Sequence, residues 1–202
     1  MGKFGIGQSV RREEDPRLLT GRGLYVNDVN LPGQSYAFFL RSPHAHADIK
    51  SIDVAAAKAS PGVLGIFTGD DVAADGLGYP GMPAKWKRPD GAPMKYRPQP
   101  PLALDRVRYV GDPVAMVVAE TLHQARDAAE LIDVDFDTRP SITDTATTLD
   151  SDAAVIWDDA PDNIVGLFQS GNADAADAAL ASAAHVTKRR FVISRVFANY
   201  ME

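Results

Sequence analysis

Residues 106–137, RVRYVGDPVAMVVAETLHQARDAAELIDVDFD, are the stretch from which the fold is read. Arg106–Ala119 has the composition of a strand, and Gly111-Asp112-Pro113 interrupts it, because proline brings no N–H to a ladder. Thr121 followed at three residues by Gln124 has the spacing of a capping box and predicts a helix start. Leu122, Ala125, Ala129 and Ile132 then fall on one helical stripe, with Arg126, Asp127 and Glu130 on the wet side. In Asp133-Val134-Asp135-Phe136-Asp137 the apolar residues point one way and the carboxylates the other, which predicts a half-exposed strand packed on that helix. Strand, helix and strand make an α/β unit, and the fold class read from it is α/β or α+β.

Upstream, Ser35–Arg41 (SYAFFLR) is a β-rich run that ends at Ser42-Pro43, where a helix could not continue. Asp53 precedes VAAAKAS and the stop Pro61-Gly62, the marks of a short helix. Val63–Phe67 (VLGIF) is apolar throughout and suits a strand covered on both faces. Asp70 or Asp71 is placed to cap a further turn. Residues 76–101 carry seven prolines and read as one long loop. Downstream, 138–171 is a connecting segment rich in Thr, Asp and Ser. Residues 173–184 favour a helix, and 185–197 (HVTKRRFVISRVF) are β-rich. A chain that stops at Phe197–Glu202, straight after such a strand, looks unfinished, because the strand needs neighbours.

A chain of 202 residues holds one domain or two small ones. Cysteine is absent, which excludes disulfides, thiolate zinc sites, cysteine-ligated clusters and a cysteine nucleophile. The net charge of −6 argues against nucleic-acid binding. That charge is segregated. Lys85, Lys87, Arg88, Lys95 and Arg97 stand against Asp90 alone in a basic loop, whereas 140–187 hold eight aspartates and no Lys or Arg. No run approaches the roughly 18 apolar residues of a membrane span, and residues 1–15 show no apolar leader segment, so the cytoplasm is the expected location.

His44 and His46 lie two residues apart and on an extended chain face the same way, a possible pair of metal ligands that lacks a third. The preferred reading is a loop whose histidines make local hydrogen bonds. Asp133, Asp135 and Asp137 lack the glycine turn and distal glutamate of a calcium loop and read as a solvated strand face. Gly2, Gly5, Gly7, Gly21 and Gly23 do not join a strand to a helix as a phosphate loop requires, and read as turns. The motifs of a nucleophile elbow, a zinc-hydrolase helix and a phosphate loop are absent. Trp86 and Tyr96 in the basic loop could stack on single-stranded nucleic acid, but docking on an acidic surface fits the loop better.

Five strings, GIGQSVRREEDPRLLTGRGLYVNDVNLPGQ (5–34), LRSPHAHADIKSID (40–53), PGVLGIFTGDDV (61–72), PPLALDRVRYVGDPVAMVVAETLHQARDAAELIDVDFD (100–137) and SGNADAADAALASAAHVTKRRFVISRVFANYME (170–202), together resemble one family. They are similar to the N-terminal part of the large, molybdenum-binding subunit of xanthine dehydrogenase and aldehyde oxidase enzymes, nearest the carbon monoxide dehydrogenase branch. Asn172 stands where that pattern has aspartate. The resemblance implies an N-terminal arm (1–17), an α/β hammerhead domain (18–140), a linker (141–169) and the first elements of a truncated molybdopterin-binding domain (170–202). It implies an oxidoreductase whose complete subunit carries molybdopterin, in its cytosine dinucleotide form, with iron–sulfur clusters and FAD on partner subunits or domains. The expected partners are the rest of the molybdenum domain and the iron–sulfur and FAD subunits, with no nucleic acid and no membrane span. No position in 1–202 inherits a catalytic, cofactor-binding or metal-binding role, and Glu202 is expected to be a junction residue. The chain alone is expected to be an inactive scaffold. The alternative is a stand-alone hammerhead module that binds an acidic partner through 85–97.

Overall fold

A computed structural model describes residues 7, 11–76, 86–95 and 99–191. The chain divides into two compact units, Ser35–Ser182 and the terminal stretches Met1–Gln34 with Ala183–Glu202.

The larger unit holds two three-stranded antiparallel sheets. The first has the order β1-β5-β3 and the second β4-β2-β6, where β1 is Tyr36–Arg41, β2 Ala47–Asp53, β3 Val63–Thr68, β4 Arg106–Val107, β5 Pro113–Ala119 and β6 Asp133–Thr138. The break foreseen at Gly111-Asp112-Pro113 is real and moves the chain from one sheet to the other. Gly111 sits at φ +92°, a conformation that only glycine adopts cheaply. The turn is pinned to the end of β1, since Gly111 N–H donates to the Ser42 carbonyl at 2.8 Å and Ser42 N–H to that of Asp112 at 2.9 Å.

Helix α4 (Leu122–Ala129) begins at Thr121, whose hydroxyl accepts the Gln124 N–H at 3.2 Å and donates to the Gln124 side-chain oxygen at 2.8 Å. Ala125, Ala128, Ala129 and Ile132 meet Ala115, Val117 and Ala119 of β5 and Ile66 of β3 in the main apolar cluster. Leu122, predicted to share that stripe, is 37% exposed and lies outside the cluster. Strand β6 is half-exposed as expected, and its Val134 packs on the cluster that holds the α4 residues, but it pairs with β2, Ile52 opposite Val134 and Ile49 opposite Phe136, in the second sheet rather than with β5. Ile52 and Val134 pack against both apolar clusters and so couple the sheets.

Strand β3 is not covered on both faces. It is a sheet edge with helices on one side, so Ile66 is buried while Leu64 and Phe67 remain exposed. Short helices α2 (Ala55–Lys58) and α3 (Gly69–Ala74) flank it. Asp53 accepts the Ala55 N–H at 2.9 Å, and Asp71 takes both the N–H and the hydroxyl of Thr68, at 2.7 and 2.9 Å. A Cβ at Gly69 would run into the Ala103 carbonyl, so α3 approaches the 103–104 backbone as closely as glycine permits.

Of the long proline-rich loop, 76, 86–95 and 99–101 are described, and 86–95 form a small hairpin in which Lys87 bridges both Pro93 and Leu167. Helix α5 (Ala173–Ser182) lies in the segment of high helix propensity. Residues 185–191 carry no strand pairing, and the rest of that β-rich run lies outside the described residues. In the terminal unit, α1 (Asp15–Leu19) and a 3-10 turn at Val26–Asp28 are held by local bonds, among them Tyr25 N–H to the Asp28 carboxylate at 2.9 Å. No described helix is long and apolar enough to cross a membrane.

Candidate functional site

The densest polar constellation lies where β2, β4 and the end of β6 meet residues 157–165. Arg106 is buried, with 9% of its side chain exposed, and donates from Nε to Asp48 Oδ1 at 2.6 Å. Arg139 donates from Nε to the other oxygen of Asp48, also at 2.6 Å, and Arg106 Nη1 reaches Asp158 at 3.2 Å. Burial alone would raise the Asp48 carboxyl. The hydrogen bonds and charges of Arg106 and Arg139 outweigh it and hold the group below the ordinary carboxylate range. Two residues on, the Arg108 guanidinium stacks 3.8 Å from the centre of the Trp157 ring. Its Nε is buried without a partner, and burial pushes this arginine below its usual value. Asp112 accepts the Arg108 N–H at 3.0 Å, yet burial pushes its carboxyl above the ordinary range.

The basic loop finds its acidic counterpart within the chain. Arg88 donates to Asp162 at 2.6 Å and to the Ile164 carbonyl, and Lys95 Nζ lies 3.8 Å from Asp159. The bond from Arg88 holds the Asp162 carboxyl below its usual range. Lys95 N–H donates to the Val165 carbonyl and Leu167 N–H to that of Lys87, at 2.9 and 2.7 Å. Trp86 lies near Phe168, 6.1 Å between ring centres. Lys85, Tyr96 and Arg97 lie outside the described residues. Both halves of this pairing were visible as opposite charge runs, but nothing local to either run names the other.

The histidines serve separate purposes. His46 is buried and its Nδ1 lies 2.7 Å from the Pro140 carbonyl, which can only accept, so Nδ1 carries the proton. Its Nε2 is buried with no partner. His44 meets Phe136 edge-on, with ring centres 5.0 Å apart. Asp137 pairs with Lys50 at 3.1 Å, while Asp133 and Asp135 stand opposite Asp53 and Ser51 on the open side of the second sheet. Among the described residues no three His, Cys, Asp or Glu converge as a metal site. Gly7 and Gly21 adopt positive φ as turn residues, whereas Gly2, Gly5 and Glu202 lie outside the described residues. Asn172 accepts the Ala175 N–H at 3.0 Å and caps α5 in the role that aspartate would play.

An open cleft of about 430 Å³ is lined by Thr148, Leu149, Asp150, Pro161, Asp162 and Asn163. Its lining carries the carboxylates of Asp150 and Asp162 and the hydroxyls of Thr148 and Ser151, with no histidine or lysine among them.

The outer face of the first sheet is the other exposed feature. Phe39 stands opposite Met116, and Met116 opposite Phe67, so one row of large apolar side chains crosses all three strands on the side away from α4. Phe39 is 37% exposed and Phe67 41%.

Residues 20–140 match the family described as aldehyde oxidase and xanthine dehydrogenase, a/b hammerhead domain. The chain is 39% identical over 197 residues to the nicotine 6-hydroxylase large subunit of Paenarthrobacter nicotinovorans, covering 98% of this chain and 23% of that one. It is 35% identical over 210 residues to the carbon monoxide dehydrogenase large chain of Afipia carboxidovorans, covering 98% and 25%. Among solved structures it is similar to the Cu,Mo-CO dehydrogenase, with a TM-score of 0.67 and 33% identity over 90% of this chain and 23% of that one. The chain thus spans about a quarter of the length of the curated relatives it matches.

Proposed function

From the premise that this chain belongs to the aldehyde oxidase and xanthine dehydrogenase family and carries its a/b hammerhead domain, we propose that it is the N-terminal scaffold portion of a molybdenum hydroxylase large subunit. In this reading 1–17 are an arm, 18–140 the hammerhead, 141–169 a linker and 170–202 the opening of the molybdenum-binding domain. The observation that carries it is the alignment of nearly the whole chain, at 39% identity, with under a quarter of a hydroxylase large subunit. The row Phe39, Met116 and Phe67 supports it, because an antiparallel sheet face left to water is ordinarily polar.

The complete subunit would carry molybdopterin, in its cytosine dinucleotide form, and work with iron–sulfur and FAD partners in the cytoplasm. When bound, that centre would supply hydroxylation with oxygen from water. The described residues of this chain do not fit such a group. They offer no converging ligand set, no cysteine, and a cleft whose charged lining, Asp150 and Asp162, would repel a phosphate. The chain's own part is therefore mechanical, with Arg106 and Arg108 tying the linker to the hammerhead through Asp158 and Trp157.

The test is to isolate the native gene product from its host and measure its intact mass and its molybdenum, iron and flavin content. A product several times heavier than this chain, or this chain copurifying with molybdenum-containing partners, is expected. A lone 202-residue chain without molybdenum would overturn the proposal.

A further inference from the structure

We infer that residues 148–167 and the hairpin 86–95 form one lobe that is latched to the hammerhead by charge and can swing off it as a unit while the two sheets stay folded. Three observations converge on this. First, neither apolar cluster of the sheets takes a residue from the lobe, whose fully buried Ala160 lies outside both. Second, the side-chain fastenings to the sheets are polar and run in one sense. Arg106 holds Asp158 at 3.2 Å, and Arg108 holds the Trp157 ring at 3.8 Å, so both cations sit at the sheet and both acceptors on the lobe. The Asp158 side chain is 75% exposed, which leaves its ion pair open to screening by salt. Arg106 loses little when Asp158 leaves, because its shorter bond is to Asp48 within the sheet.

Third, the lobe is braced within itself. Asn163, in the left-handed region at φ 56°, donates to the carbonyls of Thr148 and Ala154 at 3.2 and 3.0 Å and accepts the Ile156 N–H at 3.2 Å. Arg88 and Lys95 bind the hairpin to Asp162, Ile164 and Val165. Among the described residues the lobe is thus fastened internally by backbone and side-chain bonds and meets the sheets through Arg106 and Arg108, so it moves as one piece. The pivot is equally plain. Arg139 and Pro140 are fixed to Asp48 and His46, and the next stretch, 141–147, is mostly exposed and bonded to itself and to the first residues of the lobe, with Asp144 taking the Ala146 N–H and the Thr147 and Thr148 hydroxyls and the Thr147 carbonyl taking the Asp150 N–H.

The test uses the full 202-residue chain and follows the two indole N–H resonances, Trp86 and Trp157, by NMR while circular dichroism follows the sheets. Raising sodium chloride from about 0.05 to 1 M should shift the Trp157 resonance and raise its solvent exchange about tenfold, with the Trp86 resonance and the sheet signal unchanged. D158N should reproduce the change at low salt with the melting midpoint unaltered. D158E, which keeps the charge, should restore the wild-type spectrum. Two results would overturn the latch: Trp157 exchange that rises only as the sheets melt, or an indole spectrum indifferent to both salt and D158N. If either asparagine or glutamate at 158 prevented folding, salt titration of the unaltered chain would still decide the matter.

Discussion

At the scale of single residues, two aspartates set against arginines of one constellation, Asp48 against Arg106 and Arg139 and Asp112 against Arg108, answer pH in opposite senses. Asp48 is held below the ordinary carboxylate range by Arg106 and Arg139 despite its burial. Its contribution is therefore complete above the unfolded carboxylate pKa of about 4 and is lost as the pH falls through the folded value. D48A removes the acceptor that Arg106 needs in its buried position and should cost about 3 kcal/mol in urea unfolding at pH 7. The penalty should shrink below about pH 3, where the wild-type carboxyl is itself protonated. Asp112 is displaced upward by burial. The stability tied to that shift is present below the unfolded value and declines as the pH rises through the folded one. D112N keeps an oxygen for the Arg108 N–H and should therefore be neutral or mildly stabilising at pH 7, by up to about 1 kcal/mol. A clear loss of stability in D112N at pH 7 would mean that the ionised carboxylate is needed there.

At the scale of elements, the local signals acted where their partners lie within a few residues. Thr121 caps α4 as its spacing with Gln124 predicts, and T121A should lower stability by about 1 kcal/mol on thermal melting, with T121S close to wild type. The Asp53 and Asp71 bonds at α2 and α3 were legible for the same reason. Helix α3 also depends on something no local pattern announces, the passage of the 103–104 backbone against Gly69. G69A must displace that backbone and should cost about 2–3 kcal/mol, more than the helix propensity of alanine could return. The periodicity of α4 was read correctly for Ala125, Ala129 and Ile132 and failed at Leu122, since a stripe specifies direction but not how far the covering sheet extends. His44 and His46 share a spacing and not a task, because one ring packs on Phe136 while the other is bonded to the Pro140 carbonyl.

At the scale of the whole molecule, an open apolar row on the β1-β5-β3 sheet and an electrostatic latch both fit a piece that is built to be held by something larger. F39S and F67S together should leave the melting midpoint of the 202-residue chain within about 2 °C, since both rings are partly exposed already, and should lower its binding of an apolar dye. A large drop in the midpoint would show instead that the row belongs to the chain's own core. The sequence by itself determined strands β1, β3, β5 and β6, helices α2, α4 and α5, the bonds at Asp53, Asp71 and Thr121 and the absence of thiol chemistry, because capping, periodicity and composition act over a few residues or over none; it showed neither β2 nor α1, and the strand it offered at 185–197 carries no pairing over the described 185–191. It also displayed a basic run at 85–97 and an acidic one after 140, without joining them. Only the tertiary structure decided that β5 and β6 enter different sheets, that β3 is an edge, and that Arg88, Arg106 and Arg108 close upon 157–164. Those outcomes depend on pairings across some 50 to 90 residues, as in Arg106 with Asp158, Arg88 with Asp162 and Asp48 with Asp137, where loop closure and the burial of two whole surfaces choose the partner.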